Sequence, residues 1–362
     1  MSELYAPLVL LFLCCAITSY VATAIVKGAA QQIGLVDQPG ERKIHTVATP
    51  RLGGIAIIFG FGFPLLLLAA NERAAELASK NLTYLFAVLA GGSLVVGLGV
   101  YDDLIGTNAP KKFAVQFAAA AILVAFGFRF DVVSLAGQNF DLGLLGAVAS
   151  MLWIVGVMNA VNFIDGMDSL ATVVSITIAV AFTVIAILRQ DVFSLVTMIA
   201  LTGSLLGFYP WNKPPAKIFM GDTGSLFIGL LLAAGSIARP SKSPTALIIG
   251  GPILALALPV IDTLIVMRHR FGGQSVPLLQ RFSRLFTADK NHIHHILVAR
   301  YGSVTKAILA IWIVTLLFAV SAVLTVVQET KWIGYTSGGV ALLALFVLRY
   351  LPRRHAHPPA GD

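Results

Sequence analysis

Four clusters of carboxylate and amide side chains stand out in a chain that has few charges to spend. They are Asp102 with Asp103, the stretch from Asn159 to Asp168, Asp222, and Asp262. Two neighbouring carboxylates repel each other, so Asp102 and Asp103 favour a metal ion, a lysine or a shared proton, and each of these suits phosphate chemistry. Lys111 and Lys112 follow within ten residues. The plain alternative is a solvated helix end, although an acidic pair sits badly beside a negative C-terminal dipole. In the second cluster Asn159, Asn162, Asp165 and Asp168 recur every three positions, which gathers them on one face of any helical stretch. Asp168 could simply cap the next helix and Gly166 make the turn. Capping leaves Asn162 unexplained, whereas hard oxygen ligands for Mg²⁺ explain it.

Asp222 lies in a Gly-Asp-Thr-Gly-Ser run ending at Ser225, at the expected start of a helix. A glycine-bearing helix N-terminus offers N–H groups and a positive dipole end to phosphate, and Asp222 can hold the metal that phosphate also binds. An ordinary Asp/Thr cap is the competing use. Phe219, one turn earlier, is either a stacking face for a base or a lipid-facing ring. His292, His294 and His295 fall within four residues of a basic segment that also holds Arg281, Arg284 and Lys290. Their spacing lacks the cysteines or second histidine cluster of a structural zinc site. It suits an anion-binding surface, and a solvated basic loop does not account for the clustering.

The elements that must position these groups are set by composition. Of 362 residues 57% are apolar and only 12% charged, against about a quarter charged in soluble domains. With a mean hydropathy of +0.87, that excludes a soluble enzyme, because one globular core cannot hide so much apolar surface. The net charge of +8 does not indicate nucleic acid, since the basic residues sit in gaps between apolar runs. Cys14 and Cys15 are adjacent in the first run and suit neither a disulfide nor a metal. That run follows Glu3 without a basic region or a small-residue cleavage site, so it reads as a span rather than a removable signal.

A spanning helix needs about 20 apolar residues. Such runs fall at 5–27, 52–70, 82–101, 113–128, 142–161, 171–189, 191–210, 224–239, 245–267, 306–327 and 333–350. The expected fold is therefore an all-α integral membrane protein, a polytopic bundle of about 11 transmembrane helices. With the N-terminus outside and the C-terminus cytoplasmic, 18 of the 25 Lys and Arg and all seven histidines fall on the cytoplasmic side. All four polar clusters end there too. Residues 1–352 form a single membrane domain with cytoplasmic loops at 28–51, 102–112, 159–170, 211–224 and 268–305, and 353–362 is a flexible tail.

The order of motifs then becomes recognisable. Asp37, Gly40, Arg42, Lys43 and His45 with Pro50, Gly53 and Gly54, then Asp102-Asp103, Asn159 to Asp168, Phe219 to Ser225, and His292 to His295, together resemble the polyprenyl-phosphate N-acetylhexosamine-1-phosphate transferases. Any one motif is weak, but five in order are specific. The histidine block, His-Ile-His-His, looks more like the branch acting on UDP-GlcNAc and undecaprenyl phosphate than the phospho-MurNAc-pentapeptide branch. The former starts envelope glycans such as O-antigen or teichoic acid. The resemblance implies transfer of a sugar 1-phosphate from a UDP-N-acetylhexosamine to undecaprenyl phosphate at the cytoplasmic face of the inner membrane. UMP would leave, and Mg²⁺, with Mn²⁺ as a substitute, would be required.

By position, the resemblance implies Asp222 and Asn162 as metal ligands and Asp102 and Asp103 as the catalytic pair. Asp165, Gly166, Asp168 and Phe219 would lie around the uridine and metal, and His292, His294 and His295 on the diphosphate or sugar side. Lys111 or Lys112 would hold the lipid phosphate, with Lys43 and His45 at the rim. Two departures stand out: Ser169 where relatives commonly have Gly, and Ile296 where they have Arg. No nucleic-acid partner is expected, and a homodimer is an assembly to test. Direct attack by the lipid phosphate is the expected mechanism, with a covalent phospho-aspartate as rival. A nucleotide-sugar or lipid transporter is the alternative of a different class, but transporters place ion sites near the bilayer midplane rather than at one face.

Overall fold

A computed structural model describes residues 2–38, 48–70, 79–135, 138–237, 250–271, 291–327 and 329–350. Helices dominate the described residues: α1 (Ser2–Gln32), α2 (Gly53–Ala69), α3 (Leu82–Ile105), α4 (Ala109–Ala125), α5 (Gly143–Ile164), α6 (Leu170–Arg189) and α7 (Val192–Asn212). They continue with α8 (Gly221–Ser236), α9 (Gly250–Ala255), α10 (Ala257–Phe271), α11 (Ile293–Tyr301), α12 (Val304–Val326) and α13 (Lys331–Tyr350). Two short antiparallel pairs join them, β1 (Val36–Asp37) with β2 (Thr49–Pro50) and β3 (Val132–Leu135) with β4 (Gln138–Asp141). Seven of the described helices, α1, α3, α5, α6, α7, α12 and α13, have the length and hydropathy to cross a membrane. The protein is an all-α integral membrane protein.

Every expected span except the ninth coincides with a single helix. The run 245–267 is broken instead into α9 and α10 at Leu256, with 245–249 outside the described residues. The cause is Pro259, which has no N–H to give the carbonyl of Ala255 and whose ring crowds it. A second departure is α11, which lies within the segment expected as the loop 268–305. Residues 39–47 and 272–290 of the expected loops and the tail 353–362 lie outside the described residues.

The bundle is built around α8. It packs against α2, α3, α5, α6 and α7, and almost every side chain from Thr223 to Ser236 is buried, as a helix apolar on all faces must be. Small residues let its neighbours approach: a Cβ on Gly54 would lie 2.1 Å from the Gly224 nitrogen, one on Gly99 2.4 Å from the Thr223 Cα, and one on Gly229 2.6 Å from the Met158 Cα. The segment entering α8 is stitched to the start of α2 by backbone bonds, Phe219 N–H to the Pro50 carbonyl (2.9 Å), Gly53 N–H to Phe219 (2.9 Å) and Gly54 N–H to Met220 (2.8 Å). The Gly53-Gly54 pair is thus a docking surface for the Asp222 loop. Replacing Gly54 by Val should lower the thermal midpoint in detergent, at a cost of about 1–3 kcal/mol typical of overpacking, whereas Gly62→Val, whose Cβ meets nothing within 4 Å, should be tolerated.

Candidate active site

The site begins with the amide groups at the start of α8. A helix buried on all sides brings N-terminal N–H groups away from water, and these need acceptors. Asp103, near the end of α3, supplies them. Its Oδ1 accepts from Asp222 N–H (2.9 Å), and its Oδ2 from Thr223 N–H (3.0 Å) and the Thr223 hydroxyl (2.6 Å). Gly221, at φ 68°, admits the carboxylate, since a Cβ there would lie 2.5 Å from it. The helix N-terminus that the sequence offers to phosphate is therefore capped by a carboxylate of the protein itself.

Asp102 points elsewhere. Lys112 of α4 lies between it and Asp222, with its ammonium 2.7 Å from Asp102 and 2.6 Å from Asp222. Asn162 of α5 donates to the other Asp222 oxygen (3.0 Å) and to the Ser225 hydroxyl (2.8 Å). Of the two candidate lysines, Lys112 joins the cluster. Lys111 is exposed, and its backbone N–H is taken by the Asn108 cap of α4. One turn deeper, buried Gln116 and Asn159 clasp each other through their amides, with Asn159 Nδ2 2.6 Å from Gln116 Oε1. That clasp joins α4 to α5 and sets Lys112 against Asn162. Asn159 is thereby a helix-to-helix fastening rather than a member of the oxygen-donor set.

The loop after α5 adds more negative charge. Asp165 is half-buried, and burial together with the charges of Asp222, Asp103 and Asp168 pushes its carboxyl well above the usual carboxylate range. Asp168 does not cap α6; it accepts from Ala216 N–H (2.9 Å) and ties this loop to the one before α8. The N-cap position of α6 belongs to Ser169, at φ 57°. That left-handed conformation is one that glycine adopts freely and in which Ser is strained.

The histidine block closes the site. His294 is buried with its Nε2 2.8 Å from where a Cβ of Gly166 would stand, so a side chain at 166 would displace the ring. Both His294 ring nitrogens lack a hydrogen-bond partner. Burial, then the neighbouring His295 and His292, bring its pKa down to about 3, so near neutral pH it is an uncharged donor and acceptor. His292 stacks on His294 at 5.7 Å and 12°, and His295 lies 4.3 Å from His294 between ring centres. Phe219 is half-buried at the entrance to α8. Lys43 and His45 lie outside the described residues.

Gln116 and Arg349 were invisible to motif reasoning, and Asp262 was noticed without a role. The signal was there in each case: a polar side chain inside an apolar run needs a partner. Among the described residues no three His, Cys, Asp or Glu side chains converge to enclose a metal alone. Asp102, Asp222 and the amide oxygen of Asn162 are nonetheless hard donors, with a cation, the Lys112 ammonium, already between the carboxylates. Mg²⁺ is usually held by one or two carboxylates plus substrate phosphates, so this donor set suits a cation arriving with a diphosphate.

Carboxylates, the Lys112 ammonium and a neutral His294, brought together at the ends of buried helices, define a membrane-embedded enzyme built to handle phosphate. Residues 85–239 match Glycosyl transferase family 4. The chain is 33% identical, over 96% of its length and 91% of the relative's, to "Probable undecaprenyl-phosphate N-acetylglucosaminyl 1-phosphate transferase" of Bacillus subtilis (strain 168). It is 32% identical, over 98% and 91%, to "Decaprenyl-phosphate N-acetylglucosaminephosphotransferase" of Mycolicibacterium smegmatis. A "Phospho-N-acetylmuramoyl-pentapeptide-transferase" of Streptococcus pneumoniae is 35% identical, but over only 56% of this chain and 63% of that one. The chain belongs to the polyprenyl-phosphate N-acetylhexosamine-1-phosphate transferase family and is a phosphoglycosyltransferase.

The raised Asp165 carboxyl fixes the sign of one pH effect. The folded state holds the Asp165 proton more tightly than the unfolded chain, so the stability this group contributes is present below the ordinary value of 3.8 and is lost as pH rises through the folded value. Asp165→Asn should therefore raise the thermal midpoint of the ligand-free protein near neutral pH, with the gain shrinking as pH falls toward 4. A scan of melting temperature against pH in detergent checks this.

Proposed function

We propose that the protein transfers GlcNAc-1-phosphate from UDP-GlcNAc to undecaprenyl phosphate at the cytoplasmic face of the inner membrane, releasing UMP and beginning an envelope glycan. The observation that carries this reading is the convergence of Asp102, Lys112, Asn162 and Asp222 from α3, α4, α5 and α8, in a chain alike over nearly its whole length to two transferases named for that sugar. The helices cross the membrane about eleven times with the N-terminus outside, and the excess of 18 over 7 basic residues supports that orientation.

The reaction brings two anions together. The polyprenyl phosphate oxygen attacks the sugar-linked phosphorus, a new P–O bond forms, and the bond from that phosphorus to the UMP oxygen breaks. Lys112 turns from its carboxylate partners toward phosphate oxygens and holds them as a point charge. Asp102, released by that movement, orients the acceptor and takes any proton it carries. Asn162, itself anchored on the Ser225 hydroxyl, holds the Asp222 carboxylate in place. Asp222, with the Asn162 oxygen, would hold Mg²⁺ or Mn²⁺, which would supply positive charge to the diphosphate and the leaving UMP. Asp103 keeps α8 seated. His294, neutral and unpartnered, donates to the sugar or diphosphate, with His295 beside it. Asp165, Gly166, Asp168 and Phe219 shape the uridine side.

The test is to supply the purified protein with undecaprenyl phosphate, Mg²⁺ and a panel of UDP-sugars and to identify the lipid product by mass. Undecaprenyl diphosphate GlcNAc with stoichiometric UMP is expected. Consumption of UDP-MurNAc-pentapeptide in place of UDP-GlcNAc would overturn the sugar assignment. Asp222→Ala and Lys112→Met should each lower turnover on the order of 100-fold or more without loss of folding in detergent. Exchange of labelled UMP into UDP-GlcNAc in the strict absence of lipid would instead favour a covalent aspartyl intermediate.

A further inference from the structure

Asp262 of α10 and Arg349 of α13 are among the most deeply buried charges described, at 1% and 6% exposure. They are far apart in sequence, and neither belongs to the cluster around Asp222. A buried carboxylate and guanidinium survive only when paired and fully bonded. Here the bonding is specific: Arg349 NH1 donates to Asp262 Oδ1 (2.6 Å), and Asp262 Oδ2 faces His292 Nδ1 (2.8 Å).

The remaining bonds show what the pair is for. Asp262 Oδ1 also accepts from Ile293 N–H (3.0 Å), and Arg349 NH2 donates to the Asn291 carbonyl (2.7 Å). Three consecutive residues, Asn291, His292 and Ile293, are thus gripped by one ion pair at the point where the chain enters α11. At the other end of α11, Arg300 donates to the carbonyls of Leu348 and Arg349. The last turn of α13 therefore clamps both ends of the short helix that carries His294 and His295. A mere fastening between helices would not need a carboxylate oxygen directed at one ring nitrogen of His292.

We propose that Asp262 and Arg349 are positioning residues for phosphotransfer, acting through His292: they hold its Nδ1 and so leave Nε2 as the nitrogen presented to substrate, while the His292 ring supports His294 above Gly166. The ring stacking at 5.7 Å and the contact of Phe163 with His292, also 5.7 Å, carry the constraint from α10 and α13 to the loop after α5. The same logic governs metal-bound and catalytic histidines, whose second nitrogen is fixed by a carboxylate. This proposal rests on the transferase reading above.

The experiment is a double-mutant cycle on the full-length protein with UDP-GlcNAc and undecaprenyl phosphate. Arg349→Met should lower kcat about 10- to 100-fold, the usual cost of removing an outer-shell partner, with KM for the UDP-sugar nearly unchanged and partial rescue by Arg349→Lys. In a His292→Gln background the same change should cost little more, because both act through one ring. The charge-neutral Asp262→Asn/Arg349→Met variant removes the unpaired buried charge, so it should fold and still turn over slowly. Full turnover by that variant, or an equal loss from Arg349→Met with and without His292, would overturn the proposal. Absence of product with the wild-type protein would overturn the transferase reading instead. In that event ¹⁵N-histidine NMR decides the network: the Nδ1–H signal assigned through His292→Gln should change in Arg349→Met, and an unchanged signal refutes it.

Discussion

The N-terminus of a helix buried on all sides sets the terms for this protein. α8 crosses the middle of the bundle with its first amide groups facing the site, where the fold supplies their acceptors. Asp103 accepts from two of those amides and from the Thr223 hydroxyl, and in doing so fixes α3 against α8. Asp102, Lys112, Asn162 and Asp222 owe their common location to that junction. The glycines at 54, 99 and 221 are the space it needs.

Around the junction the described residues gather several carboxylates close together. Among the described residues Lys112 pairs with Asp102 and Asp222 while Asp103, Asp165 and Asp168 lie close by, and Asp165 carries the penalty as a carboxyl that resists ionisation. Such a site is destabilising when empty of ligands. The proposed reaction accounts for it, since substrate phosphate with a divalent cation would turn groups that repel each other alone into ligands and positioners. The histidines at the start of α11 are of another kind. His294 is held neutral by burial, so it contributes hydrogen bonding without adding charge.

Much of this was legible in the chain and some was not. The Asp102-Asp103 pair announces itself, yet successive side chains on a helix point about 100° apart, and the two turn to different partners. The repeat from Asn159 to Asp168 reads as one face, but Asn159 is paired with Gln116, a residue of an apolar run that no motif marks. Ser169 was visible as a departure from its relatives, and its meaning came only with its positive φ. The apolar run 245–267 looked continuous because hydropathy does not register that Pro259 removes an N–H from the helix ladder.

What the sequence by itself determined was the medium, the helices and the inventory of reactive groups. Those follow from local chemistry: apolar runs of spanning length, basic residues between them, and carboxylates too costly to place near lipid without a purpose. Tertiary structure alone decided which groups meet. Lys112 rather than Lys111 bridges Asp102 and Asp222, across 110 residues of chain in one case, and Arg349 reaches Asp262 across 87. Pairings of that separation depend on how helices cross and where glycine lets them touch, and no local pattern records a crossing.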